Sequence, residues 1–153
     1  MGFKRQYFDT VPGAPQQLTA TATRRVRFEE IDMLGIVWHG NYVSYLEDGR
    51  IAFGDRYGLS YMNFKGADFA APIVQMHLDY LAPLRFDETF EVTAILHWTE
   101  SLRLNFEYRL VRDGALIARG YTVQLLTDLQ GRLLLAPPDM VRDFREQWQE
   151  GSL

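Results

Sequence analysis

The sequence predicts an α+β domain in which one long apolar helix packs on an antiparallel sheet of about five strands. Three observations carry this. A helical period is confined to residues 41–58, a period of two takes over near Ala71, and short turn signals separate the segments that follow. With 153 residues, 47% of them hydrophobic, the chain is long enough for one core and too short to divide into two.

Residues 1–20 mix Gly, Pro, Gln and Thr without periodicity and read as an arm laid over the domain. From Thr21 to Glu29 the segment TATRRVRFE is β-branched and aromatic, which predicts a first strand ending near Ile31 and Asp32. After the loop DMLGIVWHG, residues Tyr42, Tyr45, Leu46, Gly49, Ala52 and Phe53 fall on one helical face. Asn41 or Gly40 is placed to cap its start, and Gly58 to end it in the left-handed conformation. Gly49 inside the buried face costs about 1 kcal/mol against Ala, so its use is to let a sheet approach the helix backbone.

Val74, Met76, Leu78 and Tyr80 then alternate with polar residues, as do Phe90 to Thr99, Leu102 to Leu110 and Leu116 to Thr127. Arg112-Asp113-Gly114 is a hairpin signal. Four consecutive strands joined by short turns predict an antiparallel meander. Pro137 and Pro138 precede DMVRDFREQW, a terminal helix. The expected organisation is an arm at 1–20, a domain at 21–136, and a C-terminal helix and tail at 137–153. The bare edges of such a sheet make pairing with a second copy, as a homodimer or homotetramer, the expected assembly.

Composition removes several function classes. Sixteen Lys and Arg against 20 Asp and Glu leave a net charge of −4, with no global field for nucleic acid or an anionic membrane. Without cysteine there is no disulfide framework, thiolate nucleophile or thiolate metal site. No apolar stretch approaches the roughly 18 residues of a membrane span, and the opening MGFKRQYFDTVPG lacks a signal-peptide core, so a cytoplasmic protein without integral membrane association is expected. Gly2 does not make a myristoylation site, because Gln6 stands where Ser or Thr is wanted. No two of the three histidines stand at ligand spacing, and no phosphate loop or dinucleotide fingerprint is present, so no metal and no cofactor is expected.

The strand-to-helix segment FEEIDMLGIVWHGNYVSYLEDGR resembles the signature of the hotdog-fold acyl-CoA thioesterases related to 4-hydroxybenzoyl-CoA thioesterase. The matching positions are Asp32, Gly35, Ile36, Val37, His39, Asn41, Tyr42 and the helical acid Glu47. HLDYLAPLRFDETFEV and DGALIARGYTVQLLTDLQGR are similar to later strands and turns of the family, so that residues 20–135 are covered. The resemblance implies a hotdog fold, a sheet continued across a dimer, acyl-thioester sites at the subunit boundary, and Asp32 as the catalytic carboxylate. It also implies that backbone N–H groups near His39 face the thioester carbonyl. Phe28 stands where some relatives carry tyrosine, so a hydroxyl role there is absent.

The residues can be read on their own terms. Thioester hydrolysis builds negative charge on the carbonyl oxygen, and a helix start at His39, Gly40 and Asn41 offers N–H donors to meet it. Gly40 leaves the backbone open to a ligand. Asp32 is suited to general-base work or to direct attack on the carbonyl; taken alone, an Asp beside a glycine loop is a turn former. His39 either hydrogen-bonds the thioester or Asp32, or packs on Trp38. Glu47 either orders a water or pairs with Arg50 at i+3. Because 14 of the 16 basic residues are Arg, Arg85 and Arg103 are candidate holders of coenzyme phosphates, each with the duller reading of a solvated arginine. Tyr42, Tyr61 and Phe64 are candidate substrate contacts, with Tyr57, Met62 and Phe69 completing an aromatic cluster that could line an acyl tunnel or only fill core. The expected function is hydrolysis of an aliphatic or aryl acyl-CoA to free acid and coenzyme A. The alternatives are a hotdog dehydratase or hydratase using His39 and Glu47, and a non-catalytic acyl-CoA-binding module.

Overall fold

The structure, a computed structural model, describes residues 6–153; the first five residues of the expected arm, Gly2 among them, lie outside the described residues. Five strands and three α-helices follow in order: β1 (Leu18–Arg25), α1 (Tyr42–Tyr57), α2 (Tyr61–Gly66), β2 (Ile73–Tyr80), β3 (Thr89–His97), β4 (Arg103–Arg112), β5 (Ala115–Leu125) and α3 (Asp139–Glu150). All five strands form one antiparallel sheet in the order β1-β3-β4-β5-β2, against which α1 lies. This is the hotdog architecture that the resemblance implies.

The register of the central helix matches its pattern. Tyr42, Tyr45, Leu46, Gly49 and Phe53 are buried, while Ala52 is half-buried and Gly54 takes its place on the inner face. A Cβ at Gly49 would stand 2.9 Å from Val92 Cγ1 and 3.5 Å from Ala94 Cβ, so the glycine is where the sheet comes closest to the helix. Gly58 closes α1 at φ 73°. Asp113 and Gly114, at φ 50° and 77°, make the tight β4–β5 turn.

Three expectations need correction. The first strand lies earlier, at Leu18–Arg25, because Glu30 reaches back to the Arg27 N–H at 2.7 Å and winds Phe28–Glu30 into a 3₁₀ turn. Its first residues belong to the stretch assigned to the arm. The aromatic stretch after α1 contains a short helix, α2, capped by Ser60 with Asn63. Third, only β3, β4 and β5 form a meander. β2 pairs with β5 on the far edge, and residues 81–88 cross the end of the sheet, starting at the Ile117 carbonyl, which takes the Leu81 N–H, and finishing at the Val26 carbonyl, which takes the Asp87 N–H. Alternation declares which side of a strand is buried and says nothing about its neighbour.

Even-numbered residues of β3 and β4, and those of β5 from Ala118 onward, face α1, with Val92, Tyr108, Phe106 and Ala118 in the core; a bulge at Leu110/Val111 leaves Leu116 exposed. The opposite face carries Glu107 with His97 and Arg109, and the arm covers part of it. Tyr7 donates to Asp79 at 2.5 Å, and Phe8 packs on His97 and Tyr121. Helix α3 buries Val141, Phe144 and Trp148 in the same core, with the Trp148 indole N–H on the Gln16 carbonyl at 2.7 Å.

Candidate functional site

The strand-to-helix loop is held by a ladder of backbone bonds. Gly35 N–H closes a turn on the Asp32 carbonyl at 3.0 Å, Asp32 N–H bonds the Ile36 carbonyl at 2.9 Å, and Val37 N–H bonds the Leu84 carbonyl of the crossing segment at 2.8 Å. Gly35 sits at φ 76°, which the turn requires. At the base of the loop, one carbonyl takes two donors: Glu30 O accepts the Trp38 N–H at 2.9 Å and the Asn41 side-chain amide at 2.8 Å. The Glu30 carboxylate is anchored in turn by Arg24, which also pairs with Asp48 on α1. Asn41 therefore staples the loop and makes no side-chain cap.

Asp32 is half-buried. Its Oδ1 accepts the Leu34 N–H at 2.8 Å, so the carboxylate does form the turn that the plainer reading assigns to it. It also opens, with His39, Tyr42 and Tyr80, onto a cavity of about 400 Å³. The helix start is a 3₁₀ turn, His39–Asn41, leading into α1. Asn41 N–H is taken by the Trp38 carbonyl at 2.9 Å, whereas among the described residues no backbone carbonyl takes the N–H of His39 or Gly40. The first N–H groups of a helix have no partner within the helix itself. The His39 ring packs on Trp38 with centroids 5.1 Å apart, the second of its two readings. At Gly40 a Cβ would meet the ring of the exposed Trp38 side chain.

Tyr80 was not singled out by sequence reasoning. Its hydroxyl donates to the His39 carbonyl at 2.8 Å and its ring meets Tyr42 edge-on at 4.9 Å, so the end of β2 braces the helix start. Burial pushes both phenols above their ordinary pKa, and both stay protonated at neutral pH. A tyrosine closing an otherwise aliphatic alternation is the one signal in the sequence.

A second cavity, of about 530 Å³, lies between α1, α2 and the sheet. Glu47, Tyr61 and Phe64 line it, with Arg50 and Gln124. Glu47 pairs with Arg50, as its duller reading has it, and Arg50 also donates to the Tyr108 hydroxyl at 3.2 Å. His39 and Glu47 thus face different cavities of one chain, so the pair a dehydratase would need is not assembled within it. Phe28 is exposed and meets Phe86 edge-on at 5.8 Å.

Of the two arginines, Arg85 is exposed and its backbone bridges Ile36 of the Asp32 loop. Arg103 starts β4, whose other end, Arg112, donates to the Pro83 carbonyl beside the Asp32 cavity at 2.7 Å. Nine residues of strand place Arg103 about 30 Å from that end. The structure therefore gathers Asp32, His39, Gly40, Asn41 and Tyr42 at one site, with Arg85 beside it. Glu47, Tyr61 and Phe64 gather at another, and Arg103 stands apart from the first. Among the described residues no group of three His, Asp or Glu side chains is placed to hold a metal, and no helix is long and apolar enough to cross a membrane.

Comparison with known proteins bears on the family and the fold. Residues 26–145 match the family described as the thioesterase-like superfamily. The crystal structure of a hypothetical protein from Thermus thermophilus is similar, with a TM-score of 0.76 and 32% identity, covering 84% of this chain and 98% of that one. A 1,4-dihydroxy-2-naphthoyl-CoA thioesterase from Synechocystis shares the fold at a TM-score of 0.72 and 20% identity, over 86% of this chain and 95% of its own. The acyl-CoA thioester hydrolase YbgC of Escherichia coli O157:H7 is 24% identical over 124 residues, 80% of this chain and 92% of the relative.

Proposed function

The chain belongs to the thioesterase-like superfamily and is a thioester hydrolase, and from that premise we propose that it hydrolyses an acyl-CoA at the Asp32 cavity, releasing the free acid and coenzyme A. One observation carries the reading. A half-buried carboxylate, Asp32, lines one groove together with His39, which opens a helix start where, among the described residues, no backbone carbonyl takes the His39 or Gly40 N–H. In this reading Asp32 takes a proton from water as the water oxygen bonds to the thioester carbon. The N–H groups of His39 and Gly40 receive the charge that develops on the carbonyl oxygen. The carbon–sulfur bond then breaks, and the departing thiolate takes the proton from Asp32. Direct attack by Asp32, giving a mixed anhydride that water opens, uses the same groups. Tyr80 holds the His39 carbonyl and so orients the donors.

The same proposal includes a second copy of the chain. β2 is an edge strand with Ile73, Val74, Met76 and Tyr80 all exposed, an apolar row that an isolated protein seldom leaves bare. The Asp32 cavity lies at the Tyr80 end of β2 and the 530 Å³ cavity at the Ile73 end, seven residues or about 23 Å away. Antiparallel pairing of β2 with its symmetry mate sets the Tyr80 end of one copy beside the Ile73 end of the other. The reactive loop of one subunit then meets the larger cavity of its partner. Arg103 pairs with Leu125 at that same end, where it is positioned to hold coenzyme phosphate for the neighbouring site.

Thiol release from a panel of aliphatic and aryl acyl-CoAs tests the activity, and no release from any member rejects it. Light scattering with an activity assay across a dilution series tests the assembly. Activity is expected to fall as dimers dissociate, and a fully active monomer contradicts the shared site. Mixing Asp32→Asn subunits with Arg103→Ala subunits is expected to restore one working site per mixed dimer.

A further inference from the structure

We propose that Arg24 is a positioning residue for the reaction, bridging the Asp32 loop to helix α1 and so fixing the carboxylate relative to the helix start. This rests on the reading of Asp32 as the reacting carboxylate. Arg24 lies outside the residues that match the family, 26–145. On β1 it follows Ala20 and Ala22 on the helix-facing side, opposite the core residue Phe90, and its side chain is only 24% exposed. A guanidinium at such a position gives up water, and packed hydrocarbon in place of a buried ion pair is often neutral or better for stability. Stability alone is therefore a weak reason for an arginine here.

Its contacts supply another reason. Nη2 donates to Glu30 Oε2 at 3.2 Å, and Nη1 donates to Asp48 Oδ2 in the second turn of α1. The guanidinium also stands 5.2 Å from the centroid of the Tyr45 ring. Glu30 is 6% exposed and lies two residues before Asp32. Its carbonyl takes the Trp38 N–H and the Asn41 amide, and its Oε1 takes the Arg27 N–H. One cation thus ties the base of the loop to the helix that begins just after His39 and Gly40. The backbone ladder keeps the shape of the loop without Arg24, and Asn41 makes a second tie, so losing the bridge shifts the loop against the helix rather than freeing it. Burial works to lower the pKa of the guanidinium, but Asp48 and Glu30 outweigh it and keep the charge permanent. Lysine carries the same charge without the planar fork, and holds one carboxylate where arginine holds two.

Kinetics and thermal melts of Arg24→Lys, Asp48→Ala and the double variant test the assignment. Because misplacing reacting groups by about 1 Å costs up to roughly 10²-fold, each single variant is expected to lower kcat about 5- to 30-fold with KM within about twofold. Tm should fall by only about 5 °C, since Glu30 keeps a cation in both. The double variant should lose no more than about twofold beyond the worse single one, because both substitutions break one bridge. A merely structural pair would lower Tm and leave kcat of the folded protein intact. Losses that multiply, losses that fall on KM, or a kcat within about twofold of wild type in either folded single variant overturn the proposal. If Arg24→Lys does not fold, Asp48→Ala decides by its kcat alone. A second measurement needs no catalysis: nuclear magnetic resonance of the amide signals. In Asp48→Ala the Leu34 N–H, which reports on its bond to Asp32, should move, and it should move no further in the double variant. An unmoved Leu34 signal overturns the proposal. If no thioester is hydrolysed while that signal moves as stated, the catalytic reading fails and the bridge between loop and helix stands.

Discussion

Replacing Asp32 by Asn isolates the charge of the loop carboxylate from its structural work. In the folded protein the side chain accepts one hydrogen bond, from Leu34 N–H, and its backbone closes the turn through Gly35 and Ile36. Asparagine can make all three bonds, since its Oδ1 accepts equally and Asn is at home in such turns. The expected stability loss is therefore below about 1 kcal/mol, which for a chain of 153 residues is a shift in Tm of only a few degrees. The catalytic loss has a different scale. Removing a general base or carboxylate nucleophile costs about 10²- to 10⁴-fold in kcat, or roughly 2.7–5.4 kcal/mol of transition-state stabilisation. KM should move much less, because the carboxylate acts mainly after the substrate is bound. Thiol release read with a chromogenic disulfide, beside a thermal melt of the same preparation, separates the two effects. A variant that melts like wild type and keeps more than a tenth of its kcat removes Asp32 from the reaction. After a single turnover of wild type in heavy-oxygen water, label found in the Asp32 carboxylate establishes direct attack, since only an anhydride opened at the aspartyl carbonyl puts it there.

Tyr80→Phe removes the donor to the His39 carbonyl and keeps the edge-on contact with Tyr42. It should lower kcat about 3- to 10-fold with little change in Tm, and an unchanged kcat excludes a positioning role. Gly120→Ala places a methyl against the His77 backbone carbonyl of the neighbouring strand, which has no rotamer to yield. A loss of about 2–4 kcal/mol is expected, seen as a Tm lower by roughly 5–15 °C and weaker dimerisation, and a neutral result refutes the close approach of β2 to β5. Acid sensitivity should come from the sheet face under and beside the arm. Burial works to raise the Glu107 carboxyl, but hydrogen bonds from His97 and Arg109 outweigh it and hold its pKa below the ordinary value; Tyr7 and His77 do the same for Asp79 against its own desolvation. Groups depressed in the folded state stabilise it above their unfolded pKa of about 4 and lose that contribution as pH falls through the lower folded value. Thermal melts should be nearly level from about pH 5 to 7 and decline below about 4, and Glu107→Gln should lower the plateau and flatten the acid decline.

The sequence by itself determined the elements that depend on local period. The inner face of α1, the close approach at Gly49, the stop at Gly58, the β4–β5 turn and the amphipathic α3 all follow from residue spacing and from where glycine alone fits. It also placed Asp32 at the strand-to-helix loop, because the run from Asp32 to Tyr42 is contiguous in the chain. Only tertiary structure decided what depends on distant segments. β2 reads the same whether it pairs with β3 or with β5, and the crossing at residues 81–88 is what puts it on the far edge and brings Tyr80 to His39. Glu30 ends the first strand early through its side-chain bond to the Arg27 N–H, a contact that β propensity does not register. The candidate residues separate into two cavities because helix α1 carries Tyr42 and Glu47 to different neighbours, although they are five positions apart.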